Sequence, residues 1–135
     1  MSKKIVSHVV GLSLSALLGI CAVTLPVFIF SMRHYNAPLF PIIRTGVEGM
    51  TWLTFVILFV GGIILGRFFS IRPLLLGMFS MAAMPVLAIL EMIVAPESHN
   101  LFPVEFFLYA VVSMVTVGGI FLGHRIRYKM FKNKS

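Results

Sequence analysis

Charged residues punctuate this chain instead of alternating with apolar ones. Between Lys4 and Arg33, Glu48 and Arg67, Arg72 and Glu91, and Glu105 and Arg125 run uncharged stretches of 28, 18, 18 and 19 residues. A bilayer core about 30 Å thick is crossed by roughly 20 apolar residues rising about 1.5 Å each. Backbone groups in hydrocarbon must be paired within the segment, so each stretch predicts a helix. Four transmembrane helices are expected, at about 8–30, 47–69, 73–94 and 103–123. Lys3 and Lys4 ahead of the first stretch imitate a signal peptide. Its apolar run exceeds the roughly 7–15 residues of such a signal, and no A-x-A-like cleavage site follows, so a retained span is expected.

The pattern occurs twice. Val60-Gly61-Gly62-Ile63-Ile64-Leu65-Gly66 matches Val117-Gly118-Gly119-Ile120-Phe121-Leu122-Gly123 with one difference, and Glu48 precedes the first by the distance at which Glu105 precedes the second. Leu17-Leu18-Gly19 and Pro26-Val27 in the first span are answered by Leu75-Leu76-Gly77 and Pro85-Val86 in the third. The connections match as well, with His34, Asn36 and Leu39-Phe40-Pro41 against His99, Asn100 and Leu101-Phe102-Pro103. This order of matches predicts a single all-α integral membrane domain made of two tandem helical hairpins, 1–72 and 73–135. Both hairpins start on the same side, which makes the repeats parallel and relates them by a pseudo-two-fold axis along the membrane normal. Duplication also serves simply to build a stable bundle, because fold does not dictate function.

Composition narrows the class. The chain is 59% hydrophobic and 11% charged, with a mean hydropathy of +1.04. Ordinary globular domains carry about 25% charged residues, and 135 residues enclose too little interior to hide this much apolar surface. A soluble enzyme and a free nucleic-acid binder are excluded.

The formal charge of +7 is unevenly distributed. With the N-terminus inside, Lys3, Lys4, Arg67, Arg72, Arg125, Arg127, Lys129, Lys132 and Lys134 fall on the cytoplasmic side, and only Arg33 and Arg44 outside. That asymmetry predicts two cytoplasmic termini in a cell membrane of the bacterial inner-membrane type. Glu48, Glu91, Glu97 and Glu105 all fall outside. Cys21, the single cysteine, lies within a span and can form no intramolecular disulfide.

Small residues let membrane helices approach closely. Ser7, Gly11, Ser15 and Gly19 recur at four-residue spacing in the first span, and Gly62, Gly66, Gly77, Gly119 and Gly123 lie in the others, mostly in the cytoplasmic half. The outer half carries Phe28, Trp52, Phe55, Phe106, Phe107 and Tyr109. Pro26 and Pro85 are expected to bend the outer ends of spans one and three, giving a bundle closed below and splayed above. Helical spacing joins Glu48, Trp52, Phe55, Phe59, Gly62 and Gly66 into one face and Glu105, Tyr109, Val112, Thr116, Gly119 and Gly123 into a second. Gly77, Met81, Met84, Ala88 and Glu91 form a third, and the walk from Gly19 through Ala22, Pro26 and Ile29 reaches Arg33. Three acids and one base therefore converge near the outer surface.

An ionisable residue in a span is costly and faces the bundle or a water-filled cavity. Glu48, Glu91, Glu105 and Arg33 are thus candidates for a vestibule that takes a cation, a proton or a small polar ligand. Structural roles compete with this. Thr45-x-x-Glu48 fits a capping box, and Glu105 suits the first turn of span four. Glu91, at the unfavourable end of a helix dipole, needs a partner, for which Arg33 is the candidate. His34 and His99, with Asn36 and Asn100, complete the candidate set. Neither H-x-x-x-H nor H-E-x-x-H spacing supports a metal, so backbone-bonded loop histidines are favoured and no metal or cofactor is expected. The shared Leu-Phe-Pro places a proline near a helix start, and the asparagine before it can cap. No Ser/His/Asp set, phosphate-cradling glycine loop or dinucleotide fingerprint occurs, so no catalytic residue is assigned and a non-enzymatic role is expected.

From His124 onward Arg125, Arg127, Lys129, Lys132 and Lys134 alternate with Ile126, Tyr128, Met130 and Phe131. Directly after a span this favours anionic lipid headgroups over nucleic acid. The favoured reading is a structural or accessory membrane protein packing with itself, as a homo-oligomer, or with a larger complex. The alternatives are an oligomeric small-solute or ion transporter using Glu48, Glu91 and Glu105, and a membrane enzyme with an outer-face site.

Overall fold

The computed structural model describes residues 3–98 and 102–132, and every regular element among them is a helix. The α-helices are α1 (Lys3–Ile29), α2 (Pro41–Glu48), α3 (Trp52–Phe68), α4 (Pro73–Met78), α5 (Ala83–Val94) and α6 (Phe102–Lys132), with 3-10 turns at Phe79–Met81 and Pro96–Ser98. Three helical stretches, Lys3–Ile29, Pro73–Val94 and Pro103–Met130, are long and apolar enough to cross a membrane, and there are four if α2 and α3, bent by 97°, count as one. The stretches expected at 8–30, 73–94 and 103–123 coincide with α1, α4–α5 and α6. Two are longer than expected: α1 starts at Lys3 and α6 continues to Lys132.

The stretch expected at 47–69 is corrected at its start. Pro41 opens α2 before Thr45 is reached, so Thr45 lies inside a helix and not at its cap. Its hydroxyl donates to the Pro41 carbonyl (2.7 Å) and accepts the Tyr35 N–H (2.8 Å). The chain then turns through Gly49–Thr51, and Thr51, in extended conformation, opens α3 with its N–H on Thr54 Oγ1 (3.4 Å). Glu48 therefore ends one helix instead of starting the next. At the other end of the connection α1 closes on Ser31, whose φ of 47° is the left-handed conformation usually given to glycine. Ser31 N–H bonds Phe28 O (3.3 Å) and Met32 N–H bonds Val27 O (3.0 Å), satisfying carbonyls that the helix end leaves open.

α3 and α6 run parallel, side by side, and their glycines allow backbone to meet backbone. A Cβ on Gly62 would collide with the Thr116 carbonyl, and one on Gly119 with that of Phe59; Gly66 abuts Ile120 and Gly123 abuts Ile63 in the same way. The contacts are reciprocal, because Thr116, Gly119, Ile120 and Gly123 each follow Phe59, Gly62, Ile63 and Gly66 by 57 residues. α1 packs on α3 with Leu18 over Gly61, and α4 packs on α6 with Gly77 against Val117. The ring closes where Gly19 of α1 abuts the Ser80 carbonyl.

That last contact falls at a break. Pro85 has no N–H for the Met81 carbonyl, and the helix from Pro73 to Val94 is interrupted by the turn at Phe79–Met81. The interruption thus lies within the stretch and not at its outer end. Buried hydroxyls hold it: Ser15 donates to Leu76 O, and Ser80 donates to Gly77 O (2.7 Å) and shares a hydrogen bond with Thr116 Oγ1 (3.0 Å).

Gly11 sits against Phe69 and Ile71, and His124 bonds Phe69 O, so the start of α1, the α3–α4 turn and the end of α6 share one end of the bundle, the basic end. The α1–α2 connection, α2 and the start of α6 form the opposite, acidic end. Of the expected faces, Gly77–Met81–Met84–Ala88–Glu91 is buried throughout, and Tyr109–Val112–Thr116–Gly119–Gly123 likewise. The face drawn from Glu48 is not: Trp52 is 68% exposed, and Phe55 and Phe59 are also exposed, while Gly62 and Gly66 are buried. The 97° turn detaches Glu48 from this face, and the buried side of α3 runs instead through Thr54, Leu58, Gly62 and Leu65. Ile29, on the walk to Arg33, is exposed as well.

Candidate functional site

Beyond the break α5 leans away from α6, and α2 lies across the gap. The three enclose a cavity of about 570 Å³ at the acidic end. Its charged lining is Arg44 and Glu48 from α2, Glu91 from α5 and Glu105 from the first turn of α6; Tyr35, Phe40, Leu87 and Tyr109 give it aromatic and apolar walls. Arg44 is the hub. Its Nε bonds Glu48 Oε1 at 2.7 Å, one helical turn along α2, and its Nη1 stands 3.7 Å from Glu91 Oε2. Glu91 Oε1 also accepts the Leu39 N–H at 3.4 Å. Glu105 acts on Arg44 through its charge.

Burial explains why these bonds matter. Glu91 is 3% exposed, and a carboxylate removed from water is tolerated only when paired and hydrogen-bonded. It sits in the last turn of α5, where the helix dipole adds a further penalty. Arg44 and the Leu39 amide supply the compensation and tie α5 to the α1–α2 connection and to α2. Three carboxylates around one guanidinium leave the lining with a formal excess of negative charge.

The sequence-level candidates fare differently. Glu48, Glu91 and Glu105 are brought together on one cavity. Arg33 is exposed, and the basic residue beside Glu91 is Arg44. The physical reason is the reversal at Ser31, which carries the chain off the face of α1 before Arg33 is reached. His34 and Asn36 are exposed on the connection and do not line the cavity. Asn36 does not cap α2 either, since Phe40 occupies that position. His99 and Asn100 lie outside the described residues. Among the described residues no group of three or more His, Cys, Asp and Glu side chains is placed to hold a metal ion. Arg44, Tyr35 and Phe40 are among the lining residues that sequence reasoning missed. Four-residue spacing between Arg44 and Glu48 was the available signal, since such pairs mark one face of a helix.

At the basic end α6 remains helical past His124, so the interleaved tail up to Lys132 is helix, and Lys134 lies outside the described residues. His124 Nε2 bonds Phe69 O (2.9 Å) and Arg127 Nη1 donates to Ser70 Oγ (2.6 Å), which ties this extension to the α3–α4 turn. Neither protein-family models nor curated proteins nor solved structures yield a match to this chain.

Proposed function

We propose that this is a four-span protein of the cell membrane with both termini cytoplasmic, built from two parallel hairpins, 1–72 and 73–135, and that it acts as a non-enzymatic structural or accessory component. Apolar side chains cover the outside of the bundle, Ile93, Phe107 and Phe121 among them, an arrangement suited to lipid and adverse in water. Reciprocal α3–α6 contacts at a constant 57-residue offset favour the duplication and its pseudo-two-fold axis. Collecting the basic residues at the end opposite the acids favours the orientation with that end inside.

The observation carrying the accessory reading is the use to which the cavity's charges are put. Arg44 is committed to Glu48 and Glu91, and Glu91 to the Leu39 amide; the cluster fastens the α1–α2 connection to α5. A second reading, an ion or small-solute transporter, is favoured by the cavity itself, whose volume is in the roughly 300–1,000 Å³ range of small-molecule sites. Proteoliposomes separate the two. On the accessory reading, flux of monovalent cations and of a lipophilic amine matches that of protein-free vesicles, and Glu91→Gln lowers unfolding stability. Flux above that baseline which Glu91→Gln abolishes in a folded protein overturns the accessory role in favour of transport.

A further inference from the structure

We infer that the basic end carries a discrete binding site for one anionic phospholipid, formed by Arg127, His124 and Tyr128 of α6 with Ser70 of the α3–α4 turn. The inference rests on the membrane topology proposed above and adds to it a single built site where the sequence pattern offers only a diffuse basic tail.

Helix geometry divides the tail into two faces. His124, Arg127 and Tyr128, at i, i+3 and i+4, share one; Arg125, Lys129 and Lys132, at i, i+4 and i+7, share another. Only the first meets the rest of the fold. His124 and Arg127 are partly buried against Phe69 and Ser70, whereas Arg125, Lys129 and Lys132 are exposed. Between that face and the turn lies a groove of about 340 Å³ lined by Ser70, His124, Arg127 and Tyr128.

The lining has the chemistry of a phosphodiester site with a membrane-facing rim. Ser70 fixes the Arg127 guanidinium through Nη1 (2.6 Å), and a guanidinium held in place presents a planar fork that matches two phosphate oxygens. The hydroxyls of Ser70 and Tyr128 and the oriented His124 ring complete a polar cradle. Depth favours a lipid over a soluble phosphate. The groove opens where the chain passes from α3 to α4, at the membrane edge on the proposed topology. The Tyr128 ring that lines it is 71% exposed, as aromatic residues are at the headgroup level. Basic pockets between spans on the cytoplasmic side are a recognised form of anionic headgroup recognition.

The test is native mass spectrometry of the full chain, released into detergent from vesicles of phosphatidylcholine with phosphatidylglycerol. Leaving the bilayer removes its surface potential and with it the diffuse attraction. The parent is expected to retain one phosphatidylglycerol. Arg127→Gln, which keeps a donor for Ser70, lowers retention about tenfold or more, while Arg125→Gln with Lys129→Gln, removing twice the charge, lowers it less than about twofold. Equal or larger loss in the double variant overturns the site in favour of diffuse charge. Displacement of the lipid by millimolar inorganic phosphate or glycerophosphoglycerol overturns the lipid assignment in favour of a soluble phosphoester. Carbonate extraction of membranes tests the underlying membrane integration separately. A chain that washes out defeats both readings, and one that stays but shows no Arg127 effect defeats this one alone.

Discussion

Single residues in this protein are judged by what stands opposite them. Gly19 faces the Ser80 backbone carbonyl, which has nowhere to retreat, whereas Gly118 meets nothing closer than the Phe59 ring at 3.9 Å. Gly19→Ala is expected to destabilise by about 2–3 kcal/mol through overpacking. Gly118→Ala should be neutral, or stabilise by up to about 1 kcal/mol through helix propensity. Thermal unfolding in one detergent checks the pair, and equal effects would refute the proposed asymmetry. The Arg44–Glu91 contact calls for a double-mutant cycle. Arg44→Ala and Glu91→Gln should couple by about 0.5–3 kcal/mol, and Arg33→Ala, at an exposed position, should change stability by less than about 0.5 kcal/mol. Ser31 is a site for gain: Ser31→Gly removes a left-handed backbone cost of roughly 1 kcal/mol, read as a higher unfolding temperature.

At the level of elements, the break in the third stretch decides the shape of the acidic end. Were Pro73–Val94 one straight helix, α5 would continue along α6, and the space now enclosed with α2 would close. Two devices maintain the break: the donor missing at Pro85, and hydroxyls from Ser15 and Ser80 that take up carbonyls beside it. Pro85→Ala restores a backbone donor for Met81. Amide hydrogen exchange across residues 79–86 should slow, because the turn gains a helical bond; unchanged exchange would place the cause of the break in the hydroxyl contacts instead. α2 owes its separate existence to similar punctuation, with Pro41 at its first turn and Gly49 after its last residue. Its shortness lets Arg44 and Glu48 project together over the cavity.

For the whole molecule, the α3–α6 seam has the geometry of a self-complementary interface joined within one chain. Each glycine meets the backbone of the other helix at positions that interchange under a shift of 57 residues. If the proposed duplication is the organising principle, the halves should assemble without a covalent link. Residues 1–72 and 73–135, expressed together as separate chains, are expected to co-purify from membranes. Gly62→Val in the first half should abolish capture by pushing a branched side chain into the Thr116 carbonyl. Inserted halves that stay apart would count against the duplication as the basis of assembly.

Three of the four expected long helices, their approximate limits and the small-residue stripes could be read from the order of residues, because helix length and apolarity are local properties of the chain. The face from Tyr109 to Gly123 was legible because α6 is continuous, and that from Gly77 to Glu91 because its spacing survives the short 3-10 turn at Phe79–Met81. Legibility stopped at the first connection. The 97° turn at Gly49–Thr51 separates Glu48 from the helix that follows, and the buried side of that helix runs through Thr54 and Leu58 and not through Trp52 and Phe55. The path to Arg33 crossed the left-handed Ser31. Arg44 as the hub of the acidic end, the break in the third stretch and the anchoring of α6 on Ser70 depend on segments distant in sequence meeting in space. Only tertiary packing decided those, because the partner of a buried charge is set by which elements come to lie beside it.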